Sequence, residues 1–250
     1  MAEGNARLMI DAHTHVGGPD RYDYARQSST ELVETMDSLG VEKAMVLPFN
    51  LAKPGSCYSN ANSDTAREVQ DHPDRLLGCA LIDPNSREAA VRELERAVTE
   101  LDLRGVKLLA VDQRFSLSSP VVRELVTKAA ALHVPIVVDM GRTLSLPSAV
   151  GNLAMQVPEA TIIVEYASGP TFLDAFERHD NLYLGTTGMF GIPKLGEAYR
   201  RLGAARLLTG SDAPYIPMRL ELRKFDRVPG LRDGDKAKIL GENMRGLLGL

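Results

Sequence analysis

Pro135-Ile136-Val137-Val138-Asp139 is followed, one helix-length stretch later, by Thr161-Ile162-Ile163-Val164-Glu165. Both runs are apolar and β-branched almost end to end, the pattern of a parallel strand buried on both faces by covering helices. Six more short runs share the habit: Leu8 to His13, Ala44 to Pro48, Leu76 to Ile82, Gly105 to Leu109, Asn181 to Leu184 and Arg206 to Thr209. Stretches with helical periodicity separate them. Ser29 to Gly40 carries Leu32, Val33, Met36 and Leu39 as one stripe, with Ser29 or Thr30 to cap its start and Gly40 to end it. Ser119-Pro120 opens a helix through Leu132, because proline is pre-set for a first helical turn. Between Ser86 and Leu101, the residues Leu94, Val98 and Leu101 give a third helix its buried stripe.

Eight β/α units in 250 residues fit an α/β fold of the (β/α)8 TIM-barrel class. A doubly wound open sheet is the alternative, but Gly17-Gly18-Pro19 has the wrong spacing for a phosphate-binding turn after the first strand. With 44% hydrophobic residues the chain can bury a large core, and no Ser/Gly linker divides it, so residues 1–250 read as a single domain. The formal charge of −4 comes from scattered residues without a basic block, which excludes nucleic acid as a partner. The start, Met1 to Arg7, lacks the apolar stretch of a secretory signal, and no apolar run reaches membrane-spanning length; a cytoplasmic protein with no membrane partner is expected. Cys57 and Cys79 are the only cysteines and are expected as free thiols.

The first run ends in Ile10-Asp11-Ala12-His13-Thr14-His15. Alternate strand residues share a face, so His13 and His15 can hold one divalent metal between them; two solvent-facing histidines at a strand end are the plainer alternative. In a barrel of this class the catalytic groups stand at the C-terminal strand ends. His72, His133 and His179 fall in helix-to-strand connections on the other face and read as structural.

Together with Gly105-Val106-Lys107-Leu108, Thr209-Gly210-Ser211-Asp212-Ala213-Pro214 and the closing Ile239 to Leu250, that phrase resembles the amidohydrolase superfamily. The similarity is to its amidohydrolase-related branch, which also holds lactone hydrolases and nonoxidative decarboxylases. The resemblance implies that His13 and His15 bind the metal and that Asp212, at the end of strand 8, ligates it or shuttles a proton. It implies a small-molecule substrate and allows pairing of barrels into a homodimer.

Two positions depart from that pattern. Where the superfamily carries a histidine at the end of strand 5 this chain has Asp139, and where it carries one after strand 6 the aligned residue is Tyr166. Asp139 is expected to complete a metal shell with His13, His15 and Asp212, or else to cap its loop. One ion is expected, zinc first, with manganese or iron as alternatives that suit the added carboxylate. Tyr166, a poor ligand and weak base, is expected to orient or polarise the substrate. Glu165 beside it should point the other way and stands as a reserve ligand. Lys107 ends the fourth run as a cationic anchor or a partner of Asp139. A second metal, of the kind bridged by a carboxylated lysine in two-metal members, lacks ligands here. Arg142 and Arg219 are candidate grips for an anionic substrate, against the commoner reading of solvated arginines.

These residues lead to a metal-dependent hydrolase that activates water against a small amide, ester or lactone bond. Nonoxidative decarboxylation is the alternative within the family. From another class comes a degenerate barrel without metal chemistry, acting as a binding protein or metal-independent enzyme.

Overall fold

The computed structural model describes residues 9–20, 23, 25–49, 55, 57–141, 147–169 and 171–250. The strands are β1 (Ile10–Val16), β2 (Lys43–Pro48), β3 (Leu76–Gly78), β4 (Ala80–Leu81), β5 (Val106–Leu109), β6 (Ile136–Asp139), β7 (Ile162–Glu165), β8 (Leu182–Gly185) and β9 (Leu207–Leu208). All pair in parallel, in the order β1-β2-β3 and β4 through β9. The run predicted from Leu76 to Ile82 is one stave interrupted at Cys79. The Cys79 N–H donates to Val46 O at 2.8 Å, whereas the Ala80 N–H donates to Gly105 O at 2.9 Å, so the stave changes partner in a single step. At the other seam the Ala12 N–H donates to Thr209 O at 3.0 Å and Thr14 bridges Ala213 in parallel. These bonds close an eight-staved α/β barrel.

Alternation along the staves makes two cores. Ile10, Ala12, Met45, Leu47, Cys79, Val137, Ile163 and Leu208 fill the interior, where Met244 of the C-terminal helix Asn243–Leu248 joins them. Ile136, Val138, Ile162, Val164, Leu182 and Leu184 face outward into the layer beneath the helices. Each strand is thus apolar on both sides for a different reason, which is why the runs read as continuous.

The helices carry their own start and stop signals. The first, Ser29–Leu39, is capped one residue earlier than expected: Ser28 Oγ accepts from the Glu31 N–H, and the Glu31 carboxylate accepts from the Ser28 N–H. Gly40 ends it at φ 71°. Pro120–Ala131 begins after Ser119 as its sequence dictates, and Glu88–Thr99 lies within the predicted third helix. Among the described residues no helix is long and apolar enough to cross a membrane.

Candidate metal centre

β1 enters the site with an irregularity: its pairing with β2 shifts between Asp11 and Thr14. Asp11 Oδ1 spans the seam there, accepting from the His13 N–H at 3.1 Å and the Ser211 N–H at 2.9 Å. Burial pushes the Asp11 carboxyl up to about 6, against those bonds. Past β9 the chain turns through Asp212 at φ 62°, and its N–H donates to His13 O at 2.7 Å. This left-handed residue swings its carboxylate into the barrel mouth.

Asp212 Oδ1 lies 3.2 Å from His15 Nε2 and 3.6 Å from His13 Nε2. One ligand atom from each of these three buried residues lies within 4.8 Å of the other two. His15 Nδ1 is 3.3 Å from Pro48 O, an acceptor, so the ring hydrogen belongs on Nδ1 and the Nε2 lone pair faces the Asp212 oxygen. Two lone pairs at that distance need positive charge between them. Burial, the leading effect on His15, holds its imidazole below the ordinary range despite the opposing pull of Asp212, so a proton is a poor occupant. A divalent cation fits this donor set of two imidazole nitrogens and one carboxylate oxygen. Burial also works against the Asp212 charge, but positive charge gathered at His15 and His13, together with the Tyr166 hydroxyl, outweighs it and keeps the carboxyl well below the usual carboxylate range.

The opposite wall is built differently. Lys107 of β5, 3% exposed, puts Nζ 2.7 Å from His13 Nε2 and 3.2 Å from Asp139 Oδ2. Asp139 Oδ1 accepts from the Gly141 N–H at 2.8 Å. Asp139, expected as a metal ligand, is therefore placed against Lys107, outside the three-residue group. Glu165 is inside the barrel, its Oε1 3.7 Å from His13 Nδ1. Gly185 of β8 makes the room, since a Cβ there would sit 2.2 Å from the Glu165 carboxyl.

Tyr166 donates to Asp212 Oδ2 at 2.5 Å. Burial and the Asp212 charge push its hydroxyl far up, so it stays a phenol. Alternation was expected to send Glu165 and Tyr166 to opposite sides, yet both reach the site. The strand ends at Glu165, and Tyr166 takes φ 56°, which returns its side chain to the same mouth.

Arg142 lies outside the described residues. Arg219 stands exposed on the helix Met218–Arg223. Residues not singled out from sequence complete the wall beside His15: the Phe49 ring stacks on it at 5.2 Å, and the Tyr215 ring meets it edge-on at 5.4 Å. Phe49 follows β2 directly, and that position is the one signal that could have pointed to it. Cys57 is exposed and Cys79 buried, both as free thiols.

The family model described as Amidohydrolase matches residues 10–250. No curated protein matches the chain by sequence. Solved structures with a similar fold include a 2,6-dihydroxybenzoate decarboxylase from Rhizobium, at 19% identity and a TM-score of 0.78, covering 97% of this chain and 98% of that one. A 5-carboxyvanillate decarboxylase from Sphingomonas paucimobilis gives 16% and 0.76, covering 97% and 99%. A dihydroxybenzoic acid decarboxylase from Polaromonas, with bound manganese and an inhibitor, gives 21% and 0.74, covering 97% of each chain. With its closed eight-staved barrel and a family match running from the start of β1 to the last residue, the chain belongs to the amidohydrolase family.

Proposed function

We propose that this chain is a metal-dependent nonoxidative decarboxylase of a small carboxylated aromatic or dienoic acid. The observation that carries the reading is the buried Lys107 ammonium beside a group of donors suited to a second, divalent cation. A mouth with two positive centres suits a substrate that carries a carboxylate. A neutral amide or lactone offers the second centre no partner. The decarboxylases among structures of similar fold support the reading, as does the manganese bound in one of them.

His13, His15 and Asp212 would hold the ion, which when bound supplies electrophilic pull on a substrate oxygen. Glu165 faces the far side of the His13 ring and orients it. Tyr166 holds Asp212 in place through its hydroxyl. Lys107 presents N–H donors toward the substrate carboxylate while Asp139 steadies it. In the reaction the bond to the carboxylate breaks, its electron pair stays on the unsaturated carbon as CO2 leaves, and a proton takes the vacated position. Arg219, exposed on the helix Met218–Arg223, would be at most a secondary contact for an anion. Both manganese and zinc suit two imidazoles and a carboxylate, so the test loads each.

Hydrolysis is the second reading, favoured by the place of the Asp212 carboxylate beside His13 and His15, where it could accept a proton from an attacking water. The two readings separate by product. The protein loaded with manganese or zinc is offered carboxylated phenols and dienoic acids in deuterated water, alongside lactones and amides. CO2 release with deuterium at the vacated carbon is the expected result. Ring opening of lactones with no CO2 from any acid would replace this reading with the hydrolytic one.

A further inference from the structure

Lys107 stands against a nitrogen that a metal ion at this site would need. The nitrogen it touches, His13 Nε2 at 2.7 Å, is also the one 3.6 Å from Asp212 Oδ1. That lone pair would complete the set with His15 and Asp212. An imidazole nitrogen has one lone pair, which accepts from an ammonium or binds a metal ion but does not do both. On the other side of Nζ, 3.2 Å away, is Asp139 Oδ2. The Gly141 N–H fixes the second oxygen of that carboxylate. The ammonium thus bridges two acceptors, one of which the metal needs.

We propose that Lys107 is a tethered competitor for the cation position: without metal its ammonium is shared between His13 and Asp139, and metal entry breaks the contact with His13 and leaves Asp139 to hold the lysine. The inference rests on the metal-dependent reading above and adds the control of metal affinity by a residue of the chain itself. It gives Asp139 a task other than ligation, as the acceptor that keeps the displaced lysine. It also explains how His13 is ready for metal beforehand. An ammonium donating to Nε2 leaves the ring hydrogen on Nδ1, which faces Glu165.

The test is calorimetric titration of the stripped full-length protein with manganese and with zinc, for wild type, Lys107→Met, Lys107→Gln, Asp139→Asn and Lys107→Met/Asp139→Asn. Circular dichroism checks the fold of each, and the glutamine variant serves if the methionine variant does not fold. Removing the ammonium should tighten binding roughly tenfold or more, since a like charge leaves the neighbourhood of a divalent ion. Asp139→Asn should weaken binding in the wild type and much less in the Lys107→Met background. Folded Lys107 variants that bind metal no tighter than wild type would overturn the proposal. Equal losses from Asp139→Asn in both backgrounds would overturn it too, making Asp139 a ligand in its own right. Absence of binding in every protein would instead bring down the metal-dependent reading on which it stands.

Discussion

The two walls of the barrel mouth solve opposite electrostatic problems. The wall made by β1 and the turn after β9 gathers lone pairs on His13, His15 and Asp212 and needs a cation from outside. The wall made by β5, β6 and β7 brings its own cation, Lys107, and surrounds it with Asp139 and, across His13, Glu165. His13 belongs to both, with Nε2 facing Lys107 and Asp212 and Nδ1 facing Glu165. A metal-type donor set on one wall thus coexists with Asp139 and Tyr166 on the facing strands, at the two positions where the resembled pattern has imidazoles. The site is a negotiation over a single ring nitrogen.

The strongest way to break that comparison is to remove the first wall. His13→Ala and His15→Ala should each lower metal content from about one ion per chain to background, and product formation with it. Elemental analysis of protein purified without chelator or histidine tag checks this. Because Lys107 and Asp139 still pair on the other wall, the fold should persist, with an unaltered circular dichroism spectrum. Metal retained in both variants would mean the ion sits on the lysine side.

The two walls differ as much in how readable they were. His13 and His15 could be paired from spacing alone, because the two-residue strand period puts them on one face whatever the rest of the chain does. Asp212 came from the resemblance to the amidohydrolase superfamily, because Ser211-Asp212-Ala213-Pro214 by itself reads equally well as a turn. Lys107 could be placed at the mouth, but its approach to His13 spans 94 positions and depends on the barrel closing with the right stagger. Glu165 and Tyr166 were assigned opposite faces because the strand period was carried one residue too far. The left-handed turn at Tyr166 has no glycine or asparagine to announce it. The break at Cys79 was hidden for a similar reason, since a change of hydrogen-bond partner leaves the apolar pattern of Leu76 to Ile82 untouched.

A narrower test presses on the second wall. Gly185→Ala would place a Cβ 2.2 Å from the buried carboxyl of Glu165, which is 1% exposed and cannot swing into solvent without leaving His13. A cost of about 1–3 kcal/mol in urea unfolding is expected from overpacking. Displacing Glu165 should also weaken metal binding by about tenfold, the scale of losing a carboxylate behind a ligating histidine. Stability and affinity both unchanged would show that Glu165 rotates away freely and does not orient His13.

The smallest expected effect separates the support of the first wall from its chemistry. The helix Ser29–Leu39 packs Leu32 and Met36 against Val16, Ala44 and Val46, on the outer faces of β1 and β2. Its start depends on Ser28 and Glu31. Ser28→Ala should cost about 1 kcal/mol and lower Tm by about 2–4 °C. Metal content should not change, because no cap atom reaches the site. The Ser28 N–H and hydroxyl hold the Glu31 carboxyl below its ordinary range. A carboxyl whose folded pKa is depressed adds stability in full above its unfolded pKa and loses it as pH falls through the folded value. The Tm gap between wild type and Glu31→Gln should therefore be widest near neutral pH and close in acid, while the gap for Gly185→Ala, which rests on packing, stays open. Thermal melts of the three proteins across that range check the contrast. A Glu31→Gln gap that persists in acid would assign the glutamate a packing role and leave the cap to Ser28 alone.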